Sequence, residues 1–296
     1  MKNCVTILII MCIPLIGKSD LSETELSGFY NAKLVRANTE NNIKMGVFEL
    51  AATGQISNRF SYEGVVGFED NQSAIEGFLR TKIRDNLHLD FGKFDIPFGY
   101  EYSIADPVVN RFSNLSMMTD SLLNGVWTDE AINLRGDFSS LQLNLFWVNS
   151  TQSQSSMGFQ GIVSLNEILS IGGSYARKTN LDLTNNNYRY NLFCTFRTAN
   201  LDISTEYTYE QLKFHSTSPT GQGYKLSGSY YIKPNIYLSS RISQVFIHNR
   251  TNADEFAVGT GYILKGDNLI KLFYSRQNNT NSIILETAIN FNLSEF

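Results

Sequence analysis

A period of two, repeated in segments of about 9–12 residues along most of the chain, limits what this sequence can fold into. In Leu141-Gln-Leu-Asn-Leu-Phe-Trp147 the odd positions are apolar. In Tyr188-Arg-Tyr-Asn-Leu-Phe-Cys-Thr-Phe196 the even positions are. Leu201-Asp-Ile-Ser-Thr-Glu-Tyr-Thr-Tyr209 and Ile289-Asn-Phe-Asn-Leu293 repeat the theme. Each segment sets Leu, Ile, Phe and Tyr on one face of a strand and Asn, Asp, Glu, Arg, Ser and Gln on the other. The length is what a tilted strand needs to cross a hydrocarbon layer. Strands are expected near 24–36, 43–54, 58–69, 73–84 and 86–95, then 127–138, 141–149, 157–165, 168–177, 187–197 and 200–210, and finally 222–232, 235–247, 254–264, 267–277 and 282–293. That makes about 16, with 14 or 18 inside the error of such boundaries.

A soluble sheet with one wet face shows the same alternation, so the connections matter. One set is minimal, as at Arg84-Asp-Asn86, Ser139-Ser140 and Lys233-Pro-Asn235. The other set is mostly longer, as at Lys178–Asn186 and Gln211–Gly221. Short periplasmic turns and longer outer loops characterise outer-membrane barrels. Tyr207, Tyr209, Tyr230, Tyr262 and Tyr274 recur near strand ends, where an aromatic girdle would sit. A mean hydropathy of −0.17 fits a barrel, since half of each strand faces a wet interior. The expected fold is all-β: a transmembrane antiparallel up-and-down β-barrel.

Met1-Lys-Asn, the apolar run Cys4–Ile16 and Gly17-Lys-Ser19 read as a secretory signal peptide over 1–19, leaving 20–296 as the barrel. Without Lys2 and Lys18 the chain carries 22 basic and 28 acidic residues, a net of −6, which argues against nucleic acid as a partner. Cys4 and Cys12 leave with the signal, so Cys194 has no partner for an intramolecular disulfide. The end, Leu293-Ser-Glu-Phe296, resembles the terminal aromatic signal read by barrel-assembly machinery, although Phe296 is out of phase with Ile289, Phe291 and Leu293.

One stretch breaks the rhythm. From Gly92 to Val126 the alternation stops, and Pro97 and Gly99 end the strand. With both termini periplasmic, this is the third outer loop. Phe98, Phe112, Met117 and Met118 are expected to pack it against the barrel wall. Folded inward, it brings Glu101, Asp106 and Arg111 to a constriction; as a plain lid it leaves them in water. The alternation puts Arg80, Lys82, Arg135, Arg189, Arg197, Lys225, Arg241 and Lys271 on the inner wall, opposite Glu63, Glu76, Asp90, Asp129, Asp137, Asp202, Glu206 and Glu286. Arg80, Lys82 and Arg135 flank the insertion and complete the candidate pore lining.

Catalytic signals are weak. The three histidines, His88, His215 and His248, have no second ligand at metal spacing, and no Gly-x-Ser-x-Gly occurs. His88 beside Asp90 is the least unsuitable acid–base pair. No enzyme activity, metal or cofactor is expected.

Gly92-Lys-Phe-Asp-Ile-Pro-Phe-Gly-Tyr-Glu101, followed by Asn110 and Ser113–Ser116, resembles the motif of OmpL-like β-barrel porins. It is also similar to the Gly-x-Phe-x-x-Pro-Phe-Gly segment of phosphate-selective porins. The resemblance implies a porin of the bacterial outer membrane, through which small hydrophilic solutes or ions diffuse passively. It also implies outer-membrane lipid and the assembly machinery as partners, and a possible homotrimer. No Arg/Lys ladder matches phosphate selectivity, so that property is not carried over. The alternative is a barrel acting as a surface adhesin or structural anchor without conductance.

Overall fold

The computed structural model describes residues 24–37, 40–69, 72–104, 110–112, 114–123, 126–150, 154–180, 187–211, 220–248 and 252–292. The proposed signal peptide, the terminal Phe296, Asp106 and His215 lie outside the described residues. Sixteen antiparallel strands form one closed barrel. They are β1 (Glu25–Ala37), β2 (Glu40–Ser57), β3 (Phe60–Glu69), β4 (Gln72–Arg84), β5 (Leu87–Asp95), β6 (Thr128–Phe138), β7 (Leu141–Ser150) and β8 (Gln154–Ser164). They continue as β9 (Leu169–Asn180), β10 (Asn187–Arg197), β11 (Leu201–Gln211), β12 (Thr220–Lys233), β13 (Ile236–Ile247), β14 (Ala253–Ile263), β15 (Leu269–Gln277) and β16 (Thr280–Asn292). Each strand pairs with its chain neighbours, and β1 closes on β16 in the register Ser27↔Asn292 to Ala37↔Ser282. No sheet edge is left open, as a lipid environment requires of every backbone donor and acceptor.

The period of two sorts the side chains. Leu143, Leu145 and Trp147 of β7, Leu226 of β12, Leu238 and Ile242 of β13, and Ile283, Leu285 and Ile289 of β16 are exposed on the outside. Between them Asn144, Ser227, Ser239, Arg241, Ser243 and Glu286 are buried on the inside. This is the reverse of a soluble protein, and it describes an outer belt that meets lipid around a polar interior. Tyrosine rings collect on the outer face near strand ends: Tyr190 stacks on Tyr209 at 5.0 Å, and Tyr230, Tyr262 and Tyr274 are exposed. No described helix is long and apolar enough to cross a membrane; the crossing is by strands.

The inner wall is not uniformly polar. Phe146, Val148, Phe193, Val245, Phe273 and Ile284 occupy inward positions and are buried. Phe146, Val148, Val245 and Phe273 are explained by the insertion between β5 and β6, which packs against them.

Candidate functional site

The insertion turns into the barrel rather than over it. Ile96 N–H donates to the Trp127 carbonyl at 2.7 Å, which draws the two ends of the loop together. Phe94, Ile96 and Phe98 then pack on Ala131, Phe146, Val148 and Ala176 of β6, β7 and β9. At Gly99 the backbone takes φ +80°, a left-handed conformation that favours glycine. A Cβ there would also lie 2.7 Å from Glu206 Oε1. The Gly99 N–H donates to Ser174 Oγ at 3.0 Å, Gln160 Nε2 donates to the Gly99 carbonyl at 2.9 Å, and the Tyr100 N–H donates to Glu206 Oε1 at 2.8 Å. The loop's first turn is thus bonded to β8, β9 and β11.

Next comes a helical turn, Glu101–Ile104. Glu101 is 3% exposed and organises the rest of the loop. Its carboxylate accepts from Ser116 N–H at 3.0 Å, from Ser116 Oγ at 2.6 Å and from Thr119 Oγ1. Lys225 Nζ of β12 and Arg241 Nη1 of β13 each stand 3.6 Å from Glu101 Oε1. Those cations have further partners: Lys225 meets Glu206 at 2.7 Å, and Arg241 meets Glu255 at 2.7 Å. Burial alone would push the Glu101 carboxyl up, but Lys225, Arg241 and the two hydroxyl donors hold it below the ordinary carboxylate range.

The distal part of the loop is fastened along the same wall. Arg241 donates to the Asn114 and Leu115 carbonyls at 2.9 and 3.0 Å, and Lys271 donates to the Phe112 carbonyl at 3.3 Å. Phe112 packs on Ala257 and Phe273, and Met118 and Leu122 pack on Val245. Met117 N–H donates to Glu255 Oε2 and Met118 N–H to Ser243 Oγ, both at 3.0 Å. Lys33 of β1 reaches Asn114 Oδ1 at 3.3 Å. A second helical turn, Thr119–Leu123, carries Asp120, whose side chain meets water. Withdrawal from bulk water, with the Glu101 and Glu255 carboxylates nearby, pushes Asp120 up to about 6 against the opposing pull of Arg241 and Lys33.

Open space remains on either side of the loop. A cavity of about 270 Å³ runs along the β3–β7 wall, with Glu63, Glu76, Arg80, Asp90, Lys93, Asp95, Tyr102 and Arg135 among its lining. A second, of about 400 Å³, lies toward the short turns and is lined by Tyr100, Arg111, Arg197, Asp202 and Tyr231, among others.

The residues singled out in the sequence divide among these places. Arg80 and Arg135 share the first cavity; Arg80 donates to both Asp90 oxygens at 2.7 and 3.1 Å, and Arg135 donates to Asp137 at 2.8 Å. Arg111 lines the second cavity, donating to Tyr231 Oη at 3.0 Å with Tyr237 beneath its guanidinium at 5.4 Å. Lys82 sits at the short-turn end of β4, paired with Asp85 at 2.7 Å. Glu101 is not left in water as a plain lid would leave it, nor does it line either cavity, because the wall cations and loop hydroxyls enclose it. Asp90, suggested as a partner for His88, instead binds Arg80, and His88 Nδ1 has no hydrogen-bond partner among the described residues. Among the described residues no group of His, Cys, Asp or Glu is arranged to hold a metal.

Sequence reasoning put Lys225, Arg241 and Glu206 on the inner wall without seeing that they converge on the loop. Glu255 was missed altogether. The available signal was the set of apolar residues on the wet phase: Phe146, Val148, Val245 and Phe273 mark where the loop lands.

No protein-family model matches the chain, and no curated protein matches it in sequence. Solved structures match in fold. An anion-selective porin from Comamonas acidovorans superposes with a TM-score of 0.72 at 10% identity, covering 92% of this chain and 100% of that one. In-vitro folded OmpT, an outer membrane protein of Vibrio cholerae in its trimer form, gives 0.71 at 11%, covering 92% and 100%. A triple mutant of the Rhodopseudomonas blastica porin gives 0.64 at 13%, covering 91% and 100%. The architecture is that of bacterial outer-membrane porin-like barrels, and the apolar outer belt is the surface such a location requires.

Proposed function

We propose that this chain is an outer-membrane porin, a non-enzymatic passive diffusion channel for small hydrophilic solutes or ions, narrowed by the loop near 97–126. The observation that carries the reading is the loop itself. It crosses from β5 past an apolar cluster on β6, β7 and β9 to the inner face of β11–β15, where buried ion pairs and two further apolar clusters hold it. Charged side chains line open space on either side of it, which passage of a solute uses and anchorage alone does not. In this reading Glu101 anchors the constriction, Arg80 and Arg135 line its open side, and Arg111 lines the space on the short-turn side.

The membership in OmpL-like porins rests on the Gly92–Glu101 motif and belongs to the same proposal. A homotrimer is proposed by analogy with the barrel solved in trimer form. Outer-membrane lipid and the assembly machinery are its further partners.

Proteoliposomes test the function directly. Folded protein should make them swell in isotonic solutions of small sugars, with rates falling steeply as solute size rises. Folded barrels that leave liposomes impermeable to all of them would refute the channel and favour the adhesin or anchor.

A further inference from the structure

We propose that the passage beside the loop prefers cations, and that Glu63 and Glu76 on the β3–β4 wall set this preference. The inference rests on the channel reading and names the solute class that the open space favours.

The two walls of the lumen differ in how much of their charge is compensated. On the wall behind the loop, Lys225, Arg241 and Lys271 are nearly or wholly closed off from water, and each is ion-paired, with Glu206, Glu255 and Glu286 respectively. Their charge is compensated within a few ångströms, so they present little net field to a passing ion. On the open wall four carboxylates, Glu63, Glu76, Asp90 and Asp95, face three cations, Arg80, Lys93 and Arg135, around one cavity. Arg80 is taken by Asp90 at 2.7 Å and Arg135 by Asp137 at 2.8 Å. Among the described residues, Glu63, Glu76 and Asp95 form no ion pair, and Lys93 is the one remaining cation of that lining. Glu63 and Glu76 sit on inward positions of adjacent strands, paired in register as Glu63↔Phe78 and Val65↔Glu76, a diagonal that brings both to one side.

An independent feature points to the same ligand chemistry. Asn133 lines this cavity, is 4% exposed, and donates through Nδ2 to Asn144, while its Oδ1 has no hydrogen-bond partner among the described residues. A buried acceptor without a donor beside excess carboxylates favours a positive visitor over a negative one. A hydrated monovalent cation or an organic ammonium solute has the required charge.

The test is the zero-current potential of the folded full chain in a planar bilayer across a steep KCl gradient. It is measured at about pH 8 so that carboxylates are ionised, and at low ionic strength so that screening is weak. The wild type should favour K⁺ over Cl⁻ by roughly threefold or more. Glu63→Gln combined with Glu76→Gln should bring that ratio close to unity or below while the barrel still conducts and still migrates as a folded species. Asp85→Asn, on an exposed short turn, should leave it unchanged. A conducting wild type with no preference, or with preference for Cl⁻, overturns the proposal and leaves the channel reading standing. So does a cation preference that the double variant retains or that Asp85→Asn removes. Failure to conduct at all removes the channel reading and this inference with it.

Discussion

Asp120 shows how much a single position can control in such a lumen. It projects into water from the loop's second helical turn, yet is pushed up to about 6 by withdrawal from bulk water and by the neighbouring Glu101 and Glu255 carboxylates. Its sign is that of a raised acid: ionised above about pH 6, neutral below. As pH falls from about 7 to about 5 Asp120 gives up its negative charge, so its own contribution to cation preference should be lost over that window. Zero-current potentials measured across it should show the step in the wild type, and Asp120→Asn should lack the component centred near 6. Identical titrations in the two proteins would contradict the placement. Nothing in the sequence announces this residue. Its property comes from groups 19 or more positions away that only the folded loop brings near.

At the scale of elements, strand and loop differ in how far sequence reads them. Strands obey a local rule, so Leu201–Gln211 or Ile236–Ile247 can be read directly, and so can the inward direction of Arg80, Glu206 or Lys225. Pairing is less local. Arg80 finds Asp90 because a tight turn sets β4 against β5 in the register Arg80↔Asp90, and Glu206 finds Lys225 across a much longer loop. The insertion has no period at all, and its course is legible only through its landing sites, the out-of-phase apolar residues Phe146, Val245 and Phe273. Glu101 shows the consequence: it reads as a loop carboxylate near a pore and is in fact a buried anchor. Glu101→Gln leaves Lys225 and Arg241 with one compensating charge fewer in a dry site and should weaken docking of the loop by about 3 kcal/mol. Limited proteolysis of the folded barrel should then cut the loop roughly 100-fold faster, with the barrel still heat-modifiable on a gel. Because the folded carboxyl lies below its ordinary range, the docking energy is complete at neutral pH and is lost as pH falls through the folded value. Unchanged protection in the variant would show that the apolar clusters alone hold the loop.

At the scale of the whole molecule, closure is the governing constraint. Sixteen strands with every neighbour paired leave an apolar belt outside and a charged interior, and the insertion, fastened to β11–β15, divides that interior into a space along β3–β7 and a second one toward the short turns. Fold class, approximate strand number and the site of the insertion follow from alternation and connection length. The division of the lumen does not, since it depends on contacts between residues more than a hundred positions apart, such as Glu101 with Lys225 and Arg241. The proposed channel is one that this loop narrows. The most direct measurement is the single-channel conductance of the folded full chain beside a variant lacking Ser103–Leu123. Discrete steps are expected from the full chain and clearly larger steps from the shortened one; a folded full chain that never conducts, or steps of equal size in the two proteins, would contradict a pore narrowed by the loop.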